Sequence, residues 1–152
     1  MKAITIHQPW ATLIALGEKQ FETRSWATKY RGQLAIHAAK KIDREACESE
    51  PFRSVLEKHG YTADNLPTGA VIGIGKLADC LGVGMSDGEH RSMAGDTGIH
   101  WIPVKSNEYH FGWYGVGRYA WELTDVKQIE PFPAKGQQGL WNWRGDEFLS
   151  VV

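Results

Sequence analysis

The sequence predicts an α+β domain built around a small, strongly curved β-barrel of about five or six strands with two or three short helices. Three observations lead to this prediction. Several segments alternate apolar and polar residues, as half-buried strands do. Glycine supplies 17 of the 152 residues, and this excess suits the bends of a curved sheet. The regular strand–helix alternation of a doubly wound α/β fold is missing.

The first part of the chain contains short elements in mixed order. Ile4–Ile6 alternates as a strand, and Pro9 suits the first position of a helix that Gly17 can terminate. The alternation of residues 20–26 predicts a second strand. After a break, residues 34–38 repeat the pattern and predict a third strand.

The second part of the chain has longer strands. Asp43 is placed to cap a short helix, and the apolar spacing within residues 52–59 predicts a further helical turn. Two long strands and a closing strand are expected after it, at residues 70–81, 117–129 and 139–143. The glycine-rich segment 82–98 has little periodicity and is predicted to be a long loop.

Size and composition limit the class of protein. We expect a single domain over residues 1–152, because this length is too short for two ordinary domains. Cys47 and Cys80 lie far apart, which argues against a disulfide framework or a cysteine zinc site. No apolar run approaches the roughly 20 residues of a membrane span, and no secretory leader is recognised. We therefore expect a cytoplasmic protein with no membrane association, no metal and no cofactor.

Charge is distributed unevenly along the chain. The net charge is −1, yet residues 19–41 carry six basic side chains and one acidic one. Local asymmetry of this kind attracts phosphate groups even on a nearly neutral molecule. Solvated lysines on a strand pair are the alternative interpretation. The candidate contacts to a nucleic-acid backbone are Lys29, Arg31, Lys40 and Lys41.

The segment 17–26, Gly-Glu-Lys-Gln-Phe-Glu-Thr-Arg-Ser-Trp, contains the main candidate site. Lys19 projects from the turn after a helix, and Glu22, Arg24 and Trp26 share one strand face. The charges either form a surface ion-pair strand or bind a polar ligand. In the second case the cations donate to a phosphate or carbonyl, and the carboxylate accepts from an exocyclic amine. Spacing alone leaves both interpretations open.

Several ordered segments resemble the bacterial and phage branch of the ASCH domain family. They are His7-Gln8-Pro9-Trp10-Ala11, Gly17-x-Lys19-x-x-Glu22-x-Arg24-Ser25-Trp26, Tyr30-Arg31-Gly32, Ile36-His37-Ala38 and Pro133-x-Lys135-Gly136-x-x-Gly139-Leu140-Trp141. The resemblance extends over roughly residues 4–143. It implies a PUA-like β-barrel whose cleft is lined by the Lys-Glu-Arg signature. Members of this family are regarded as RNA- or nucleic-acid-binding modules.

The resemblance implies two classes of function. In the favoured one, the chain binds RNA or another single-stranded nucleic acid, with a base entering the cleft beside Lys19, Glu22 and Arg24. Trp26, Tyr30 or one of the later aromatic residues then supplies the stacking surface. In the alternative, it is a small amidohydrolase acting on a free modified nucleoside of the N4-acetylcytidine type, or a ribonuclease, with Lys19 and Glu22 catalytic. Relatives with the amidohydrolase chemistry use a lysine, a threonine three residues later and a distant glutamate. Here Glu22 replaces that threonine, and Glu89 is the candidate for the distant glutamate.

Overall fold

The computed structural model describes residues 1–149, and the last part of the predicted domain, 150–152, lies outside the described residues. Within 1–149 no helix has both the length and the apolar character to cross a membrane. The described strands are β1 (Lys2–Gln8), β2 (Phe21–Arg24), β3 (Gly32–Ile42), β4 (Ala70–Ser86), β5 (His90–Gly95), β6 (Gly98–Pro103), β7 (Tyr119–Pro133) and β8 (Leu140–Asn142). The described helices are α1 (Trp10–Ala15), α2 (Arg44–Glu48), α3 (Phe52–Lys58) and α4 (Asn107–Phe111), followed near the end by a 3-10 turn at Gly145–Phe148.

The α+β class is confirmed, but the predicted barrel is not. The strands are arranged in the order β2-β7-β4-β3-β1-β8, and β5 and β6 branch from β4 as a hairpin. Within residues 1–149, β2 pairs only with β7 and β8 only with β1, so the sheet is not closed. In the described part of the chain, eight strands therefore replace the five or six expected, and four α-helices replace the two or three expected.

The additional strands come from the segment 82–98, which was predicted to be a loop. β4 continues to Ser86 and then pairs with β5, which in turn pairs with β6. The hairpin buries Met93 and Ile102 on its inner face while most of its other side chains are half-buried or exposed. Two buried positions are too few to produce visible alternation in a glycine-rich sequence, and the sequence prediction for this segment is therefore wrong.

Helix α1 packs against the sheet and directs the chain into β2. All residues from Ala11 to Ala15 are buried, and a side chain at Gly73 would lie 3.2 Å from the Ala15 Cβ. Gly17 ends the helical segment with a φ of +77°, a conformation that favours glycine. The Lys19 N–H then returns to the Leu13 carbonyl at 3.1 Å. This turn points the Lys19 side chain inward at the start of β2.

The core joins the two sides of the sheet to the helices. Trp121 on β7 is fully buried in the main core cluster, together with residues of β1, β3, β4 and α1. A second cluster joins α3 to Phe111 at the end of α4. Asp43 caps α2 as predicted, accepting from the Ala46 N–H at 3.0 Å. These contacts hold α4 close to α1 and β2.

Candidate functional site

A cleft of about 730 Å³ lies beside β2, and we call it the aromatic cleft. Strand β2 forms one wall, because its antiparallel pairing with β7 fixes Arg24 opposite Tyr119. The end of β1 and the start of α1 form its floor, and the segment after α4 forms the opposite wall. The lining residues used below are Thr5, Trp10, Glu22, Arg24, Trp26, Trp113 and Arg118.

Glu22 and Arg24 form an ion pair in this cleft. Glu22 is buried and Arg24 is half-buried. Arg24 Nη2 and Nε lie 2.9 and 3.0 Å from Glu22 Oε2. The same guanidinium donates from Nη2 to the Thr5 carbonyl at 2.9 Å. Two donors on one carboxylate oxygen give a charge-assisted arrangement with a fixed orientation. The pair is thus oriented before any ligand arrives.

Lys19 lies beneath the aromatic cleft and does not line it. Its side chain is 1% exposed, and its ammonium donates to the Phe21 carbonyl. The distance from Lys19 Nζ to Glu22 Oε1 is 3.8 Å. Burial lowers the pKa of Lys19, and the negative charge of Glu22 opposes that shift. The sequence signature therefore brings Lys19 and Glu22 together, but only Glu22 and Arg24 reach the cleft.

Glu108 on α4 is a site residue that the sequence analysis missed. Its carboxylate accepts from the Gln20 N–H at 2.6 Å and from the Phe21 N–H at 3.4 Å. Burial raises the pKa of Glu108, and the Lys19 charge acts in the opposite direction. The residue in the sequence that could have indicated helix α4 is Ser106, which caps it by accepting from the Tyr109 N–H.

Glu89, the candidate for the distant glutamate, does not line the aromatic cleft. It is exposed in the turn between β4 and β5, and its N–H donates to Asp87 Oδ1 at 2.9 Å. The carboxylate whose charge acts on Lys19 besides Glu22 is that of Glu108. The charges of two acidic side chains, Glu22 in the aromatic cleft and Glu108 on α4, thus act on the Lys19 ammonium.

Three tryptophans line the aromatic cleft. Trp26 is 37% exposed and packs edge-on against buried Trp121, with ring centroids 4.7 Å apart. Trp113 is 68% exposed, and the Arg118 guanidinium lies 3.9 Å from its ring centre. Trp10 is half-buried and lines the cleft, with Nε1 donating to the Phe111 carbonyl at 2.8 Å.

The Arg31 side chain is fixed by contacts with other parts of the protein. Its guanidinium donates to the Thr28 and Tyr30 carbonyls at 3.0 and 2.9 Å. It also lies 3.3 Å from Asp79 Oδ1 and 3.5 Å from Asp96 Oδ2. These contacts occupy Arg31 with a structural role between β3 and the β5–β6 hairpin.

The three lysines of the predicted backbone-binding set have a different environment. Lys29, Lys40 and Lys41 are exposed. Lys29 precedes β3, and the other two lie near its end. Within residues 1–149 none of the three forms an ion pair closer than 4.0 Å. Their ammonium groups therefore remain available to an anionic ligand.

These features define a class: a mixed α+β domain with a charged, aromatic cleft beside a short strand. A sequence model described as the ASCH domain matches residues 4–133. The chain belongs to the ASCH domain family, which confirms the resemblance seen in its motifs. A model match of this extent covers β1 to β7 and so includes both walls of the cleft.

Sequence and structure comparisons identify individual relatives. The chain is 37% identical over 81 residues to "Activating signal cointegrator 1" of Homo sapiens and, at the same identity, to that of Mus musculus. The matched part covers 51% of this chain but only 14% of either relative. The crystal structure of ASCH from Zymomonas mobilis has a TM-score of 0.52 at 16% identity, covering 97% of this chain and 90% of that chain. This last similarity indicates a shared fold.

Proposed function

We propose that the chain binds single-stranded nucleic acid, with RNA as the favoured ligand, and that the aromatic cleft holds one unpaired base. The observation that carries the proposal is the presence of exposed tryptophan faces and an oriented Glu–Arg pair in one cleft of about 730 Å³. Membership of a family regarded as nucleic-acid-binding supports the same conclusion.

The cleft offers the two kinds of contact that an unpaired base requires. Trp26 and Trp113 present faces for stacking, which contributes about 1–3 kcal/mol per base. Within residues 1–149, Arg24 Nη1 has no hydrogen-bond partner, so it can donate to a base carbonyl. Glu22 Oε1 is not bonded to Arg24 and lies 3.8 Å from Lys19 Nζ, so it retains a lone pair that can accept from an exocyclic amine.

Exposed lysines supply the sequence-independent part of the binding. Lys29, Lys40 and Lys41 are candidates for contacts with backbone phosphates. Contacts of this kind release counterions, so the affinity is expected to fall steeply as salt increases. Arg31 does not contribute in the same way, because acidic side chains and carbonyls already occupy its guanidinium.

The position of Lys19 favours binding over the amidohydrolase and ribonuclease alternatives. Both reactions would require the Lys19 amine to reach a ligand in the cleft. The side chain is 1% exposed, and its ammonium is bonded to the Phe21 carbonyl. We infer that Lys19 is a positioning residue that holds β2 beneath Glu22.

Replacing a tryptophan inside the cleft tests the proposal against a matched tryptophan outside it. Trp113→Ala is expected to raise the Kd for a labelled single-stranded RNA by about fivefold to 150-fold, because one stacking face is lost. Trp101 on β6 is 55% exposed and does not line the cleft, so Trp101→Ala is expected to leave the Kd unchanged. Fluorescence anisotropy at fixed salt measures both.

Equal effects of the two substitutions would contradict a base-binding cleft.

The hydrolase alternative has its own measurement: incubation with N4-acetylcytidine, comparing the wild type with Lys19→Met. We expect no turnover by either protein. Turnover by the wild type that disappears in a folded Lys19→Met variant would favour the amidohydrolase and overturn the positioning role of Lys19.

A further inference from the structure

A second cleft of about 780 Å³ adjoins the aromatic cleft, and Thr5 lines both. The Thr5 carbonyl accepts from Arg24 of the aromatic cleft at 2.9 Å, while its hydroxyl accepts from Trp141 Nε1 at 3.1 Å. The second cleft is lined by residues of β1, β3 and the β7–β8 loop together with their neighbours: Thr5, His37, Ala39, Lys40, Gly69, Pro133, Ala134, Lys135, Gly136, Gln137 and Gln138. The two clefts thus adjoin at Thr5 of β1.

The second cleft is cationic. Lys40 near the end of β3 and Lys135 in the loop after β7 line it, and both are exposed. None of its described lining residues is acidic, although the whole chain has 18 acidic side chains. An isolated pair of ammonium groups beside a cleft attracts an anionic ligand.

The loop between β7 and β8 adds backbone donors to these charges. Within residues 1–149, no acceptor is recorded for the N–H groups of Lys135, Gly136, Gln137 and Gln138. These N–H groups belong to residues that line the second cleft, so they can donate to an anion bound there. These residues belong to the Lys-Gly-x-x-Gly segment of the sequence, which does not line the aromatic cleft.

A buried histidine under this loop lacks one hydrogen bond. His37 is 2% exposed, and its Nε2 lies 2.7 Å from the Ala134 carbonyl oxygen. Because a carbonyl only accepts, Nε2 donates, and Nδ1 of the neutral imidazole is an acceptor. Nδ1 has no partner within residues 1–149. A buried polar atom without a partner is uncommon and indicates a missing group.

Gly136 separates that nitrogen from the open part of the second cleft. A Cβ at Gly136 would lie 2.9 Å from His37 Nδ1 and 2.8 Å from Thr5 Oγ1. These distances are too short for a side chain, so Gly136 packs directly against both groups, and a ligand reaches Nδ1 only if Gly136 moves aside. A hydroxyl group is of the right size and polarity to donate to it.

We propose that the second cleft is a ribose-phosphate subsite, in which Lys40, Lys135 and the loop N–H groups bind a phosphate and His37 Nδ1 accepts from a ribose hydroxyl. The inference rests on the proposed function, because it assigns the second cleft to a nucleotide next to the base in the aromatic cleft. A ribose hydroxyl is the group that distinguishes RNA from DNA. A free ribonucleotide offers the same chemistry and is a separate arm of the test.

The phosphate contact is tested by the salt dependence of RNA binding. Lys40→Gln combined with Lys135→Gln is expected to flatten the slope of log K against log salt by about 1.4, since each contact with a single strand contributes about 0.7. Lys105→Gln combined with Lys127→Gln makes the same charge change outside both clefts and is expected to leave the slope unchanged. An unchanged slope in the first variant overturns the phosphate assignment.

The hydroxyl contact is tested by comparing RNA and DNA of one sequence. His37→Phe keeps an aromatic ring edge-on to Trp141, whose centroid lies 5.5 Å from the imidazole. It is expected to reduce the preference for RNA over DNA by about twofold to tenfold, with the Kd for DNA unchanged. Equal binding of RNA and DNA by the wild type overturns the hydroxyl contact but leaves the proposed function intact.

Ring-nitrogen NMR of the wild type provides a second measurement that needs no variant. The His37 Nδ1 resonance is expected to move on addition of RNA and to remain in place with DNA, and no movement overturns the contact. If neither strand binds, the proposed function fails. Titration with a ribonucleoside 5′-monophosphate then decides the subsite: a shift of Nδ1 supports it as a free-nucleotide site, and no shift overturns it.

Discussion

The Lys19 ammonium is buried beside a backbone carbonyl and two acidic side chains, and the positive charge of Arg24 also acts on it. It donates to the Phe21 carbonyl and lies 3.8 Å from Glu22 Oε1, and the charge of Glu108 also acts on it. Burial lowers its pKa, whereas these two carboxylates raise it. The residue thus supplies a counter-charge to Glu108 and a second one to Glu22, which is also paired with Arg24. This arrangement fits a positioning role.

Lys19→Met is expected to lower the free energy of unfolding by about 3 kcal/mol, because it leaves a buried carbonyl without its donor and removes the cation between two carboxylates. Urea denaturation followed by tryptophan fluorescence measures the change. Lys105→Met alters an exposed lysine and is expected to change stability by less than about 0.5 kcal/mol. An unchanged unfolding midpoint for Lys19→Met would contradict the positioning role.

At the scale of elements, Asp79 on β4 holds the turn of the β5–β6 hairpin. Its carboxylate accepts from the Thr97 N–H and hydroxyl at 2.8 and 2.6 Å, and from the Asp96 N–H at 3.2 Å. Arg31 pairs with it at 3.3 Å. Burial by itself would raise the pKa of Asp79, but the hydrogen bonds from Thr97, Cys80 and Asp96 lower it to about 2.

Asp79→Asn is expected to destabilise the protein by about 2 kcal/mol at neutral pH. The folded pKa lies below the unfolded value, so the carboxylate stabilises the fold above about pH 4, and the contribution disappears as pH falls towards 2. Urea denaturation of both proteins between pH 7 and pH 2.5 measures the difference, which is expected to shrink with pH. A difference independent of pH would contradict this role of the charge.

At the scale of the whole molecule, charge is separated along one chain of net charge −1. Residues 19–41 have an excess of five positive charges, and the remaining residues have an excess of six negative charges. Two of the cations, Lys19 and Arg31, are internal contacts, and Arg24 is paired in the aromatic cleft. The exposed lysines of this segment therefore provide most of its attraction for an anionic strand.

Lys29→Gln combined with Lys41→Gln is expected to flatten the slope of log K against log salt for single-stranded RNA by about 1.4. Both lysines are exposed, so the unfolding midpoint is expected to remain unchanged. Arg31→Gln serves as the contrasting variant, because its loss is expected to lower stability through Asp79. A wild-type slope in the double lysine variant would exclude these two side chains as phosphate contacts.

The parts of the site that are close in sequence could be predicted, and those assembled from distant segments could not. Strand periodicity placed Glu22, Arg24 and Trp26 on one face, and all three line the aromatic cleft. The same periodicity does not reveal that the turn after Gly17 buries Lys19. Glu108 is 86 residues from Glu22 in the chain, and its five-residue helix α4 produces no recognisable apolar repeat.

Strand β1 lies between two partners from opposite parts of the chain. It pairs in parallel with β3, with Lys2 opposite Leu34, and antiparallel with β8, with Lys2 opposite Asn142. Both of its edges are therefore satisfied only after residues 140–142 have been synthesised. During translation β1 presents an open edge that can template pairing with another chain. Shortening the protein before β8 leaves that edge open permanently, and we expect the shortened chain to aggregate more readily than the full one.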